Sequence, residues 1–256
     1  MEKEDVFNIS TQIVDEKLQI TTFEVVELNS EVINLLDDNV IKICEGENSF
    51  SDIAIVKTRL KKLFSGKNNT WKMGAIAEFF IHLFIHLSGY KQECMFFNLE
   101  ERSIKKGFDG FYNNGQQWIM ESKSGSINTK GISHGSKINE AVIDLKEKFS
   151  GNVKNNPWLN AYNHASHCDV GSSLDIRKSI KLLSEEFTKG QFHKMEQFNI
   201  MPCATIFLDK IWIPRDREEI IEEVKKVINK NDYKKAHLVC VTQANIRIFE
   251  QYMNLS

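Results

Sequence analysis

The stretch that decides how the chain reads opens Trp71-Lys72-Met73-Gly74-Ala75-Ile76-Ala77-Glu78 and stays apolar to Leu87. It goes on to Lys106-Gly107-Phe108-Asp109-Gly110-Phe111-Tyr112 and then Gln117-Trp118-Ile119-Met120-Glu121-Ser122-Lys123. Ile76, Phe79, Phe80, Leu83, Phe84 and Leu87 recur at helical spacing, so residues 71–87 are predicted as a helix, which Gly89 ends. A second stripe on that helix runs Gly74, Glu78, His82, His86. Glu78 is therefore an acid among core residues, and burying it requires a partner. Three strand-like runs follow, at 93–99, 107–113 and 117–123. Asn113-Asn114-Gly115 joins the last two as a hairpin, because Asn-Gly tolerates the positive φ of such turns. That hairpin sets Asp109 nearly opposite Glu121, and Glu121 shares a strand face with Lys123.

The rest of the chain frames this segment. Runs 6–9 and 18–26 read as strands, and 31–43 as a helix or strand. Residues 51–64 form a basic helix that Ser51 can cap. Residues 124–136 are Gly/Ser-rich and read as a mobile loop beside the acids. A helix over 137–149 turns Ile138, Val142, Leu145 and Phe149 inward. Residues 151–157 are turn-rich, 158–170 irregular, and 172–199 helical with a bend at Gly190. Apolar strands at 203–208 and 238–242 flank a helix at 216–229, and the tail from Ala244 is helical. The fold class is α/β, a mixed sheet flanked by helices, with an accessory region at 1–50 and extra C-terminal helices.

Residues 1–50 carry twelve acidic and three basic side chains, a net −9, against 30 basic and 23 acidic in the remainder, a net +7. A basic body behind an acidic leader suits a protein that meets nucleic acid with the body. Phosphate contacts are expected from Lys57 and Lys61 on the basic helix, from Lys130 and Lys137 near the loop, and from Gly74, where a backbone could come close. No apolar run reaches the roughly 18 residues of a membrane span, and the acidic start does not read as a signal peptide. The five cysteines lack a CxxC pair, which points to a reduced, cytoplasmic protein. Neither a P-loop nor a dinucleotide fingerprint occurs, so no nucleotide cofactor is expected.

The acid, acid, acid-x-Lys order has a chemical meaning. Phosphodiester hydrolysis needs a metal at the phosphoryl oxygens, an activated water and stabilisation of the leaving oxygen. Asp109, Glu121 and the Ser122 carbonyl form an oxygen set suited to Mg²⁺, with Mn²⁺ as a substitute. Lys123 can hold the attacking water, and Glu78 can act through water from the helix. In isolation an E-x-K triplet is also an ordinary same-face ion pair. His82 and His86 have ligand spacing but no third ligand, and read as core or groove histidines; His164, His167 and Cys168 form a compact cluster that zinc could use.

This order of elements and acids resembles the PD-(D/E)xK nuclease superfamily. Asp109, Glu121 and Lys123 match its signature and Glu78 its helical acid, with Phe108 where the Pro usually stands. The resemblance implies a restriction-endonuclease-like core, α-β-β-β-α-β, over residues 71–150 of a nuclease domain at 51–256. Within that superfamily, Trp71 to Glu78, Gly107-Phe108-Asp109-Gly110 and Glu121-Ser122-Lys123-Ser124 look like the HamA family, nuclease subunits of Hachiman anti-phage systems. That likeness implies sequence-nonspecific DNA degradation restrained by a helicase, HamB. Two other readings remain: a nuclease-like module that only binds DNA or a partner, and a sequence-specific restriction endonuclease.

Overall fold

The hairpin around Asn114 organises one edge of the sheet. The computed structural model describes residues 6–99, 107–209 and 212–255; Lys106, at the head of the Asp109 run, lies outside them, as do the first five residues. Strand β4 (Gly110–Asn113) returns as β5 (Gln117–Ser126) through Asn114, Gly115 and Gln116. Gly115 sits at φ 90°, and its N–H donates to the Asn113 side chain at 2.9 Å.

Seven strands form one mixed sheet in the order β1-β2-β7-β6-β5-β4-β3, with β1 Ser10–Ile13, β2 Leu18–Val25, β3 Lys91–Gln92, β6 Asn199–Phe207 and β7 Lys235–Gln243. Strands β2, β7, β6 and β5 pair in parallel, and the edges are antiparallel. Helices cover both faces, so β6 is buried at every residue and β7 at all but its first. That is why both read as continuous apolar runs. On one face lie α1 (Ser30–Glu45), α2 (Ile53–Phe64), α3 (Asn69–Leu87) and α8 (Arg247–Asn254). On the other lie α4 (His134–Phe149), α5 (Pro157–Ala165), α6 (Leu174–Thr188) and α7 (Arg217–Ile228). No helix among the described residues is long and apolar enough to cross a membrane.

Several expectations change. The segment expected as an N-terminal accessory region contributes β1, the interior strand β2 and α1, with Val32, Leu36 and Val40 in the core. Val6 to Ile9 form no strand. Residues 93–99 are irregular, because their backbone is used elsewhere. The N–H groups of Phe96 and Phe97 donate to the carbonyls of Ile43 and Cys44, which the end of α1 leaves unpaired. The cap of α2 is Asp52, not Ser51, its carboxylate accepting from Ala54 N–H at 2.7 Å. The Gly/Ser stretch begins as strand, since β5 stays paired with β6 to Ser126. Residues 158–170 hold α5, begun by Pro157 under the Asn156 cap, and a short 3-10 turn at Cys168–Val170. α6 stops at Thr188, and Gly190 at φ 74° follows as a terminator rather than a bend.

Candidate active site

The β4–β5 register sets the geometry. Gly110 pairs with Met120, so one step further along the same ladder faces Asp109 toward Glu121. Regular pairing stops at Gly110, and Asp109 instead turns its side chain to β5, where Oδ2 accepts the Ser122 N–H at 2.8 Å. In a strand the N–H and C=O of one residue point the same way, so the Ser122 carbonyl also faces the side that β4 has left. Gly107, just before, passes so close to α5 that a Cβ there would lie 2.2 Å from the Pro157 carbonyl oxygen.

Strand alternation then distributes the side chains. Trp118 and Met120 enter the α3-side core and Ile119 the α4-side core, so Glu121 and Lys123 point toward α4. There they meet two residues that the sequence reading missed. Lys123 Nζ donates to Glu121 Oε1 at 2.8 Å and to Asp144 Oδ2 at 2.5 Å. Lys148 Nζ donates to Glu121 Oε2 and lies 3.5 Å from Asp144 Oδ2. Asp144 and Lys148 stand one turn apart on α4 and flank the inward Leu145. Their signal was this i, i+4 pair of opposite charges at the edge of an otherwise apolar face.

Glu78 arrives from the opposite face of the sheet, around the end of β4. The Tyr112 hydroxyl donates to His82 Nδ1, and His82 Nε2–H donates to Glu78 Oε1 at 3.3 Å. Burial raises the Tyr112 pKa well above its usual value, which keeps it a donor. His82 is thus a buried orienting residue rather than half of a metal pair with His86. The cleft between these elements has a volume of about 780 Å³, and Gly74, Glu78, Asp109, Ser122, Lys123 and Lys148 reach it. Glu121 lies beneath, 1% exposed.

The electrostatics are those of a charge cluster out of water. Burial, then Glu78, raise the Asp109 pKa, against Lys148, the Ser122 N–H and Lys123. Burial, then Asp109, push Glu121 well up from the usual carboxylate range, while Lys148 and Lys123 pull it back. Burial works against the charge on Lys123, but Glu121 and Asp144 more than reverse this, and its pKa is raised. Lys148 is raised in the same sense. Burial also opposes the Asp144 charge, yet its contact with Glu121 and the two ammoniums hold it below the usual range.

A divalent cation fits this donor set. Loss of water raises the proton affinity of both Asp109 and Glu121, the Asp109 charge adds to it at Glu121, and the Ser122 carbonyl faces the side that β4 has left. Hard oxygen ligands of this kind suit Mg²⁺ or Mn²⁺.

The expected basic surface is dispersed. Lys57 is a correction: its side chain is 8% exposed, 3.0 Å from Asp37, and its ammonium lies over the Tyr252 ring, so its charge is spent inside the fold. Lys61 and Lys130 are exposed, and Lys137 pairs with Glu140 at 2.8 Å; none of these four lines the cleft. Lys154, in the turn before α5, does line it, and only the fold could bring it there. His164 is buried, its ring accepting from Met95 N–H and meeting Asn98 Oδ1 at 3.2 Å. Among the described residues the compact ligand group is His167, Cys168 and Asp169 instead. The chain matches no protein-family model and no curated protein sequence.

Proposed function

We propose that the chain is a metal-dependent phosphodiesterase that cuts DNA, using Mg²⁺ or Mn²⁺ on a restriction-endonuclease-like core of the PD-(D/E)xK kind. The observation that carries this reading is the meeting of Asp109, Glu121 and Lys123 where β4 stops pairing, with Glu78 reaching the same cleft. The element order α3, β3, β4, β5, α4, then β6 parallel to β5, is compatible with an α-β-β-β-α-β core.

Asp109, Glu121 and the Ser122 carbonyl would hold the ion. When bound, it supplies a Lewis acid for the phosphoryl oxygen and lowers the pKa of a bound water. The raised pKa of Lys123 keeps it an ammonium at neutral pH. It can therefore orient the attacking water and offset charge on the phosphoryl group, but it cannot serve as the base. Glu78, aimed by His82, is placed to accept the proton through water. Lys154 and Gly74 give the cleft a phosphate-contact role that needs no base reading.

The likeness of residues 71–78, 107–110 and 121–124 to HamA nucleases supports the wider assignment. In it the chain is the effector of an anti-phage complex in the cytoplasm, restrained by a HamB-like helicase and binding no nucleotide itself.

Plasmid cleavage by the purified chain in Mg²⁺ tests the chemistry. Glu121→Ala and Lys123→Ala should each abolish cleavage while far-ultraviolet circular dichroism stays native. Retained cleavage in either variant rejects the assignment. A smear of products fits nonspecific degradation, and discrete bands fit a restriction endonuclease. One observation favours a non-catalytic module: both Glu121 oxygens already accept from ammoniums. That reading requires DNA binding in EDTA with no cleavage in either metal.

A further inference from the structure

Lys148 has no counterpart among the residues that the sequence marked for chemistry, yet it is more deeply placed in the site than Lys123. Its side chain is 13% exposed against 28% for Lys123, and its ammonium serves Glu121 Oε2, lies 3.5 Å from Asp144 and stands over the Phe108 ring. Glu121 has two oxygens, and each holds one lysine. A carboxylate this buried cannot offer Oε2 to a divalent cation while an ammonium sits on it at hydrogen-bond distance, because the two positive charges would occupy the same space.

We propose that Lys148 competes with the divalent cation for Glu121 Oε2, and that Asp144 holds the displaced ammonium over the cleft, where it can meet a DNA phosphate. The inference rests on the metal-centre reading above. Asp144 is suited to this task. It sits one helical turn from Lys148, lies 3.5 Å from its ammonium and accepts already from Lys123, so the ammonium moves from one carboxylate to another without entering an uncompensated site. Lys148 also lines the same cleft as Lys154, which gives the displaced charge a phosphate to contact. Metal entry and substrate contact are then two positions of one side chain.

The competition has a consequence opposite to that of a structural role. Removing a lysine that merely supports Glu121 weakens metal binding. Removing a competitor strengthens it. Mn²⁺ binding by the full chain without DNA, followed by titration calorimetry, should tighten by about tenfold or more in Lys148→Met, since a like charge leaves the immediate neighbourhood of the ion. Lys148→Gln provides a second neutral variant should the first fold poorly, and Lys148→Arg, which keeps the charge, should stay within a few-fold of the natural chain. With Ca²⁺ bound the neutral variants should also bind DNA more weakly, with the salt slope reduced by about one, whereas in EDTA, where the ammonium stays on Glu121, they should bind DNA as the natural chain does. Measurable Mn²⁺ binding by the natural chain with unchanged or weaker binding in both folded neutral variants overturns the competition. If neither the natural chain nor any variant binds Mn²⁺, the metal-centre reading falls and takes the competition with it.

Discussion

Asp109 shows how the site is set against the stability of the fold. It is half-buried in the cleft with Glu78 and Glu121 nearby, and its pKa is raised, with loss of water the largest cause. A raised carboxyl pKa means that the native state binds protons more tightly than the unfolded chain. Stability is therefore lost as pH climbs from the ordinary carboxylate range through the raised value. Asp109→Asn keeps the size of the side chain and an acceptor for the Ser122 N–H while removing the charge. We expect its Tm at pH 7 to exceed that of the natural chain by a few degrees, the shift that about 1 kcal/mol produces in a domain of this length. The gain should shrink toward pH 4.5. Thermal scans across that range check it, and a gain that grows on acidification would mean that Asp109 is stabilised as the anion. Mn²⁺ affinity of the natural chain should move the other way, tightening as pH rises, because the ion must displace those protons.

α3 carries the same trade in its backbone. Residues Ala75 to Ile85 are buried without a break, since the helix is covered by the sheet and by α1, α2 and α8. Asn68 caps it through the Trp71 N–H at 2.9 Å, so a strong helix former is expected at every interior position. Gly74 breaks that rule. No described residue lies within 4 Å of where its Cβ would be, and it faces the cleft. Gly74→Ala should therefore stabilise the chain by roughly 0.5–1 kcal/mol, through helix propensity alone. If the glycine is there so that a phosphodiester backbone can come close, the same variant should bind DNA several-fold more weakly. A stabilised variant with unchanged DNA affinity would remove Gly74 from the binding surface.

The molecule as a whole ties its acidic leader into the sheet. β2 pairs with β7 over eight positions, and Phe23 and Val25 join the core with α1. Deleting residues 1–50 should therefore abolish cooperative unfolding in denaturant, not release an otherwise intact body. A truncated chain that still unfolds in one sharp transition would show that β2 is dispensable. Whether the −9 charge of this segment contacts a partner is tested by neutralising exposed acids within it, Asp15, Glu16, Glu27, Asp38 and Glu47, and measuring association. Glu45 is unsuited to that test, because it is buried against Arg59.

How much of this was readable beforehand follows from the range of the forces involved. Helical spacing from Ile76 to Leu87, the Asn-Gly turn, and the alternation that puts Glu121 with Lys123 are written into neighbours a few positions apart. Those features sufficed to bring Asp109 and Glu121 to one end of a hairpin and to single out Glu78. They could not show that 93–99 would give its N–H groups to the end of α1, because that bond joins residues some fifty positions apart. Nor could they show Lys57 turned inward to Asp37, or Lys148 and Asp144 delivered to Glu121. Lys57 meets Asp37 only when α2 packs on α1, and Glu121 meets Lys148 and Asp144 only once β6 lies parallel to β5 and α4 is laid across them; parallel pairing leaves no turn between its partners for a sequence to announce. The chain's local chemistry thus specified the acids and their hairpin, while the long-range packing of the sheet selected which cations guard them.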